Sequence, residues 1–336
     1  MNRPTVELGI VSTLPSTLMA IELAQIAEEL GFDRVAFSDT APLIYHSAYP
    51  AVTAILMRTA RIRVGPYVTN PVSRHWSIHL ANARAFEELA PGRFFLGIGT
   101  GDGAVHSVGL KPAKLSEFRA AASELRRTLP QGTPIHMAFS GPKGMAVAGA
   151  LADELTIGTG LDAAALRHLA GLARAARAEA GVAVPLKLWL PVPVHLATSP
   201  DEIPALRAAA GGMASLAARF AFSAGFEGKN VPEDFQPAMR AMLDRYQFAH
   251  HAKSSGNPNA GLFDADPAIR DYVIDRFALI GTPAQCAERL AGLVRDAGID
   301  GFWLMPTAPS ADSAAVRRKL ALAAKTFASL REMARS

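Results

Sequence analysis

The stretch RFFLGIGTGDG (Arg93–Gly103) decides between two folds. Its apolar run, Phe94-Phe95-Leu96, reads as a strand and passes directly into alternating glycines. Gly99-x-Gly101-x-x-Ala104 is a degenerate form of the dinucleotide-binding fingerprint. That fingerprint works because a helix opens at once, aims its N-terminus at a pyrophosphate, and is followed by an acidic residue at the end of the next strand. Here VHSVGLKPAKL follows, with Gly109 and Pro112 interrupting a helix. The nearest suitably spaced acid, Glu117, sits in a helical pattern. The meaning of the glycines therefore depends on what surrounds them.

Working outward, short β-rich runs alternate with helical patterns along the chain. The eight strand candidates are VELGIVST (Val6–Thr13), RVAFSDT (Arg34–Thr40), IRVGPYVTNP (Ile62–Pro71), RFFLGIG (Arg93–Gly99), PIHMAFS (Pro134–Ser140), ELTIGTG (Glu154–Gly160), PLKLWLPVPVHLA (Pro185–Ala197) and GIDGFWLMP (Gly298–Pro306). The first helical run places Leu23, Ile26, Ala27 and Leu30 on one face, turns Glu22, Gln25, Glu28 and Glu29 outward, and stops at Gly31. Strands alternating with amphipathic helices build parallel βαβ units, and eight of them predict an α/β fold of the (β/α)8 TIM-barrel class. A doubly wound sheet would want a glycine-rich loop after its first strand, where TLPSTL stands instead.

The spacing predicts a single domain over residues 1–336, with residues 198–276 as a mostly helical insertion or lid before the eighth strand. Within it EIPALRAAAGGMASLAARFAF and PEDFQPAMRAMLDRYQFAHH read as helical and AKSSGNPNAGLFDADP as a loop. Beyond it, Thr282-Pro283-Ala284-Gln285 carries an N-cap, Pro at the first helical position and a capping-box Gln.

Half of the 336 residues are hydrophobic and 19% are charged, enough to bury a large core. No apolar run reaches a membrane span, and the N-terminus lacks a basic-then-apolar leader, so a cytoplasmic protein without a membrane partner is expected. The single Cys286 excludes an internal disulfide and argues against a cysteine metal site. The net charge of +4 is dispersed and not interleaved with aromatics, so nucleic acid is not an expected partner.

In a TIM barrel the chemistry sits at the C-terminal ends of the strands. The residues there are Ser12 and Thr13; Ser38, Asp39 and Thr40; Tyr67, Val68, Thr69 and Asn70; Gly99, Thr100, Gly101 and Asp102; Ala138 to Pro142; Thr159 and Gly160; His195; and Met305 and Pro306, with His75 and Trp76 just after the third strand. This rim is polar and glycine-containing. It shows no metal-ligand spacing and no Ser-His-Asp motif, so it suits a bound organic cofactor and a small-molecule substrate.

VGPYVTNPVSRHW followed by RFFLGIGTGDGAVHSVGLKPAKLSEF resembles the bacterial luciferase-like superfamily, in particular the branch with the methylenetetrahydromethanopterin reductases. GFDRVAFSDT, FSGPKGMAVAGALADELTIGTGL and IDRFALIGTPAQCAERLAGLVRDAGIDGFWL carry the same resemblance. It implies a TIM barrel that binds FMN or the deazaflavin coenzyme F-420 at the strand ends, and a homodimer. It also implies a non-prolyl cis peptide at Tyr67–Val68 and an anion loop at Ser140, Gly141 and Pro142, with Lys143 adding charge. The cofactor-binding set is then Tyr67, Val68, Thr69, Asn70, Gly99, Thr100, Gly101, Asp102, Ala138, Ser140, Gly141, Pro142, Thr159 and Gly160. His75 is the first catalytic candidate, with Asp39 and His46 beside it and His106 and His195 behind. Deazaflavin reductases often have Asp-His where Asp39-Thr40 stands here, which points to FMN. The leading expectation is a monooxygenase that uses reduced FMN from a separate flavin reductase. The alternatives are an F-420-dependent hydride-transfer enzyme and a non-catalytic flavin carrier.

Overall fold

A computed structural model describes residues 6–40, 45–250, 256–306 and 310–333. Among the described residues nine parallel strands form: β1 (Glu7–Ser12), β2 (Arg34–Phe37), β3 (Arg63–Pro66), β4 (Leu96–Ile98), β5 (Ile135–Phe139), β6 (Glu154–Ile157), β7 (Lys187–Leu196), β8 (Leu279–Gly281) and β9 (Gly301–Met305). Their order is β3-β2-β1-β9-β7-β6-β5-β4. Bridges Val64–Phe94 and Thr69–Ile98 join β3 to β4 and close the ring into an eight-stranded barrel.

All eight expected strands are barrel strands. The ninth, β8, lies outside the ring and pairs Leu279 with Val194 on the far half of β7. At three residues it is too short to show a period, so the last barrel strand is β9. The stretch after Gly101 also differs from expectation. A five-residue helix, Asp102–His106, opens at once and ends before Gly109, whose φ of 77° breaks it.

The helices cover the outside of the ring, and their apolar faces form the main core with the strands. Local chemistry sets their ends. Ser16 and Asp162 cap with side chains, and Thr282 and Gln285 form the expected capping box. Gly149, on the helix Pro142–Leu151, lets the helix Ala163–Glu179 pack at contact, since a Cβ there would meet the Ala173 carbonyl oxygen at 2.1 Å.

Barrel interiors of this type are usually layers of branched apolar residues. Here Trp189 and Trp303 stack with centroids 4.5 Å apart, and beside them stand Arg34, Glu154, His136 and Thr156, all buried. Between β7 and β8 lie the helices Ile203–Phe222, Gln236–Leu243 and Pro267–Phe277. They share a separate apolar cluster with Phe222, Phe226, Met239, Phe263 and Phe277 at its centre. Among its described residues PEDFQPAMRAMLDRYQFAHH is helical only over Gln236–Leu243, with a 3-10 turn at Phe248–His250, and its last residue, His251, and residues 252–255 of the expected loop lie outside the described residues.

Candidate functional site

Parallel strands deliver all their C-terminal ends to one mouth of the barrel, and the insertion walls that mouth. The result is a cavity of about 2050 Å³. Drug-sized ligands occupy sites of roughly 300–1,000 Å³, so there is room here for a cofactor and a second molecule. Strand ends supply Val11, Ser12, Tyr67, Val68, Gly99, Ala138, Pro191, Pro193 and Met305. The insertion supplies Leu216, Ala217, Phe220, Tyr246 and Phe277.

The floor lies over the third and fourth strand ends. The Tyr67–Val68 peptide is cis. At Gly99 a Cβ would come within 2.9 Å of Val68 Cγ2, and at Gly101, with φ 97°, within 2.8 Å of Asn70 Cβ. Side chains at either position would collide with the strand beneath, so glycine keeps this surface flat. Beneath it, Asn70 Oδ1 accepts from the Val72 and Ser73 amides at 3.0 and 2.8 Å, and its carbonyl bonds His79 Nε2 at 3.0 Å. Burial pushes the His79 imidazole down to about 4.

After the neighbouring strand β5 the helix Pro142–Leu151 begins with no side-chain cap and no acidic residue in its first turn. A Cβ at Gly141 would meet nothing within 4 Å, so this helix start is open, and Ser140, Gly141, Pro142 and Lys143 all line the cavity. Free amides at a helix start bind anions. The Ser140 hydroxyl donates to the Phe220 carbonyl at 3.1 Å, so its proton is committed to the insertion and the amides and Lys143 are the donors left.

Of the expected cofactor-binding residues, Tyr67, Val68, Gly99, Thr100, Gly101, Asp102, Ala138, Ser140, Gly141, Pro142 and Gly160 line the cavity. Thr69, Asn70 and Thr159 are buried behind its wall. The three catalytic candidates are not on the wall. His75 is exposed and caps its own helix, Nδ1 accepting from the Ser77 amide at 3.3 Å. His46 is exposed and holds Thr17. Asp39 is buried, pairs with Arg74 and accepts from Thr69 Oγ1 at 2.7 Å. Each of these side chains is satisfied by neighbours outside the cavity. Among the histidines considered, His195 lines it and is half-buried. Burial, with Lys319 nearby, lowers its pKa and so favours the neutral imidazole, which carries one donor and one acceptor nitrogen.

Sequence reading missed Tyr45, Thr156, Pro191, Pro193 and the particular insertion residues that line the cavity. The prolines were visible inside a strand, where proline marks an irregular position. Which insertion residues face the strand ends has no local signal. Among the described residues, no helix is long and apolar enough to cross a membrane, and no group of three His, Cys, Asp or Glu could hold a metal.

The model of the luciferase-like monooxygenase family matches residues 11–129 and 116–301. A segment of 83 residues is 35% identical to 5,10-methylenetetrahydromethanopterin reductase of Methanolobus tindarius, covering 24% of each chain. A segment of 117 residues is 35% identical to the F420-dependent glucose-6-phosphate dehydrogenase of Segniliparus rotundus, covering 32% of this chain and 34% of that one. The chain thus spans about a quarter to a third of the length of these curated relatives. In three dimensions it is similar to the coenzyme F420 dependent tetrahydromethanopterin reductase of Methanopyrus kandleri, with a TM-score of 0.75 at 17% identity over 97% of this chain and 99% of that one. The EDTA monooxygenase of Chelativorans sp. BNC1 gives a TM-score of 0.68 at 15% identity over 98% of each chain.

Proposed function

We propose a function from one established fact: this chain belongs to the luciferase-like monooxygenase family, a family of oxidoreductases, whose model spans most of its length. Our reading is an FMN-dependent monooxygenase that takes reduced flavin from a separate reductase and oxygenates a small organic substrate. One observation carries it: a glycine floor over Val68 and an open helix start at Gly141 line a single cavity. A planar ring would be held by Val68, Gly99, Thr100 and Gly101, and a phosphate by the Gly141–Lys143 helix start. These residues fit FMN in shape and in the sign of their partial charges.

Bound reduced flavin supplies the electrons that activate O₂. The chain's own part is to bind, dry and orient. Val11, Ala138, Pro191, Pro193 and Met305 make an apolar wall that keeps water from the reacting atoms. His195, neutral and on the wall, takes the acid-base role in place of His75 and His46. Thr40 lines the cavity where deazaflavin reductases often carry histidine, and this favours FMN. The segment 35% identical to an F420-dependent glucose-6-phosphate dehydrogenase favours a second reading, hydride transfer with F-420.

Parallel titrations of the protein with FMN, anaerobically reduced FMN and F-420 separate the two. We expect micromolar binding of reduced FMN, weak binding of F-420, and oxygen uptake by the loaded protein. Tight F-420 binding without reduced-FMN binding overturns the first reading in favour of the second.

A further inference from the structure

A loop of the insertion carries a buried ammonium on the cavity wall. Gly225-Phe226-Glu227-Gly228-Lys229-Asn230 follows the helix Ile203–Phe222. Three of its residues have positive φ: Gly225 at 101°, Gly228 at 70° and Asn230 at 49°. Asn230 is the one non-glycine residue in that conformation among the described residues. Such backbone costs free energy and persists only where its surroundings hold it. Here Arg276 holds it, donating to the carbonyls of Lys229 and Asn230 and, at 2.9 Å, to that of Thr159. Asn230 Nδ2 also donates to the Asp162 carboxylate at 3.0 Å.

The loop places the Lys229 side chain, which is 1% exposed and lines the cavity. Its Nζ donates to the Ala221 carbonyl at 2.5 Å and to the Gly225 carbonyl at 2.7 Å. An ammonium has three donors, so one N–H is left over. The charges acting on it, Arg276 and Arg240, share its sign, and among the described residues it has no carboxylate partner. Burial first, and then these two cations, bring its pKa down to about 8. The carbonyls at the end of the helix offset part of that cost. Lysine is still almost never fully buried without a counter-charge.

The same loop packs on the open helix start. A Cβ at Gly228 would lie 3.8 Å from Pro142 Cγ, and the Ser140 hydroxyl already donates to the Phe220 carbonyl of the insertion. On the other side, a Cβ at Gly158 would lie 3.9 Å from Ser140 Cβ. Between Gly158 and Gly160, which line the cavity, the Thr159 hydroxyl is buried without a hydrogen-bond partner. One corner of the cavity thus gathers the amides of a helix start, a spare N–H of Lys229 and the hydroxyl of Thr159.

We propose that this corner is a phosphate-monoester site, with the helix start supplying amides and Lys229 of the insertion supplying the buried positive charge. A terminal phosphate monoester carries close to two negative charges at pH 7. The two ammonium groups on this wall, Lys143 and Lys229, balance a dianion better than the single charge of a carboxylate or a diester. The proposal deepens the cavity reading above and rests on it: in an FMN enzyme the group is the flavin's terminal phosphate. A phosphorylated substrate offers the same chemistry. The charged and titratable groups around the ammonium are Arg276, Arg240, Glu227 of its own loop, Lys143, and His168 and Asp162 of the helix Ala163–Glu179. Arg219 of the helix before the loop turns to Asp102 instead.

Inorganic phosphate is the first probe, titrated calorimetrically into ligand-free protein. We expect saturable binding at pH 7.5, weakened about 10-fold in Lys229→Met, as fits the loss of a charge-assisted hydrogen bond. In wild type the affinity should fall about 5-fold from pH 8 to pH 9, as Lys229 loses its proton while phosphate stays doubly charged. Lys143→Gln should bind more weakly and keep that fall. No saturable phosphate binding by wild type, or equal binding by a folded Lys229→Met, overturns the proposal whether or not a ring binds. Should Lys229→Met fail to fold, the pH profiles decide, and a fall that vanishes in Lys143→Gln overturns the role of Lys229. FMN and riboflavin then identify the source of the phosphate. We expect wild type to prefer FMN, and Lys229→Met to lose about 10-fold of that preference with riboflavin affinity unchanged. Equal FMN and riboflavin binding, with phosphate binding still dependent on Lys229, supports the site and assigns its phosphate to the substrate. Binding of neither ring overturns the FMN reading and leaves the site to the phosphate titrations.

Discussion

A histidine is read best through its partners. His75 and His46 drew notice because they follow strand ends, yet their bonds to Ser77 and Thr17 tie them outside the cavity. His79 drew none, but it is fully buried between Tyr49 Oη at 2.5 Å and the Asn70 carbonyl. Its folded pKa, about 4, lies below the usual 6.5. The unfolded chain therefore takes up the proton first as pH falls. The stability that His79 confers is complete above about pH 6.5 and is lost as pH falls toward 4, by up to about 3 kcal/mol. Denaturant unfolding at pH 7.5, 6.0 and 5.0 should show this slope, and His79→Gln should flatten it while lowering stability at pH 7.5. An equally steep slope in the variant would remove His79 as its source. Gly101→Ala tests the floor. Its positive φ and the contact with Asn70 should cost about 2 kcal/mol in stability, and calorimetric titration should show weakened ring binding. Glycines with a required φ or contact are visible as letters in the sequence. The side chain that Gly101 must clear, Asn70, became known only from the fold.

Elements were the most legible level, because helix ends are decided by neighbours in the chain. Gly31 with φ 81°, the Thr282–Gln285 capping box and Pro at the first turn of several helices are all local events. The short helix at Asp102 and the three-residue β8 escaped because neither is long enough to show a period. Helix-on-helix packing was equally hidden. Gly149 is one of several small residues in KGMAVAGALA, yet it brings two helices to contact, and Arg177 binds its carbonyl at 3.1 Å. Gly149→Val should push the helices apart and cost about 3 kcal/mol. Thermal unfolding measures this, and a change within error would mean the helices can shift without penalty.

At the scale of the whole molecule, the barrel is held partly by a polar column that joins β1, β2, β5 and β6. Glu154→Gln leaves the buried Arg34 with Glu7 as its remaining carboxylate and should cost about 3–5 kcal/mol. The double variant Arg34→Met/Glu154→Leu should be more stable than Glu154→Gln, because no uncompensated charge is buried. Equilibrium unfolding of both proteins, with the singles as a cycle, gives the coupling. If the double variant were the weaker of the two, the charges themselves would be holding the ring.

By itself the sequence determined the alternation of eight strands with amphipathic helices, and hence the barrel and the mouth at which its glycines and polar residues gather. Periodicity and capping are written in residues one to four positions apart, so they survive without a structure. The tertiary structure decided which of those rim residues line a common cavity, with His195 on its wall and His75 off it, and assembled Glu7, Arg34, His136 and Glu154 into one column. Those contacts join residues up to 120 positions apart. Their energies come from burial and from charges meeting in a low-dielectric interior, and neither exists until the ring has closed.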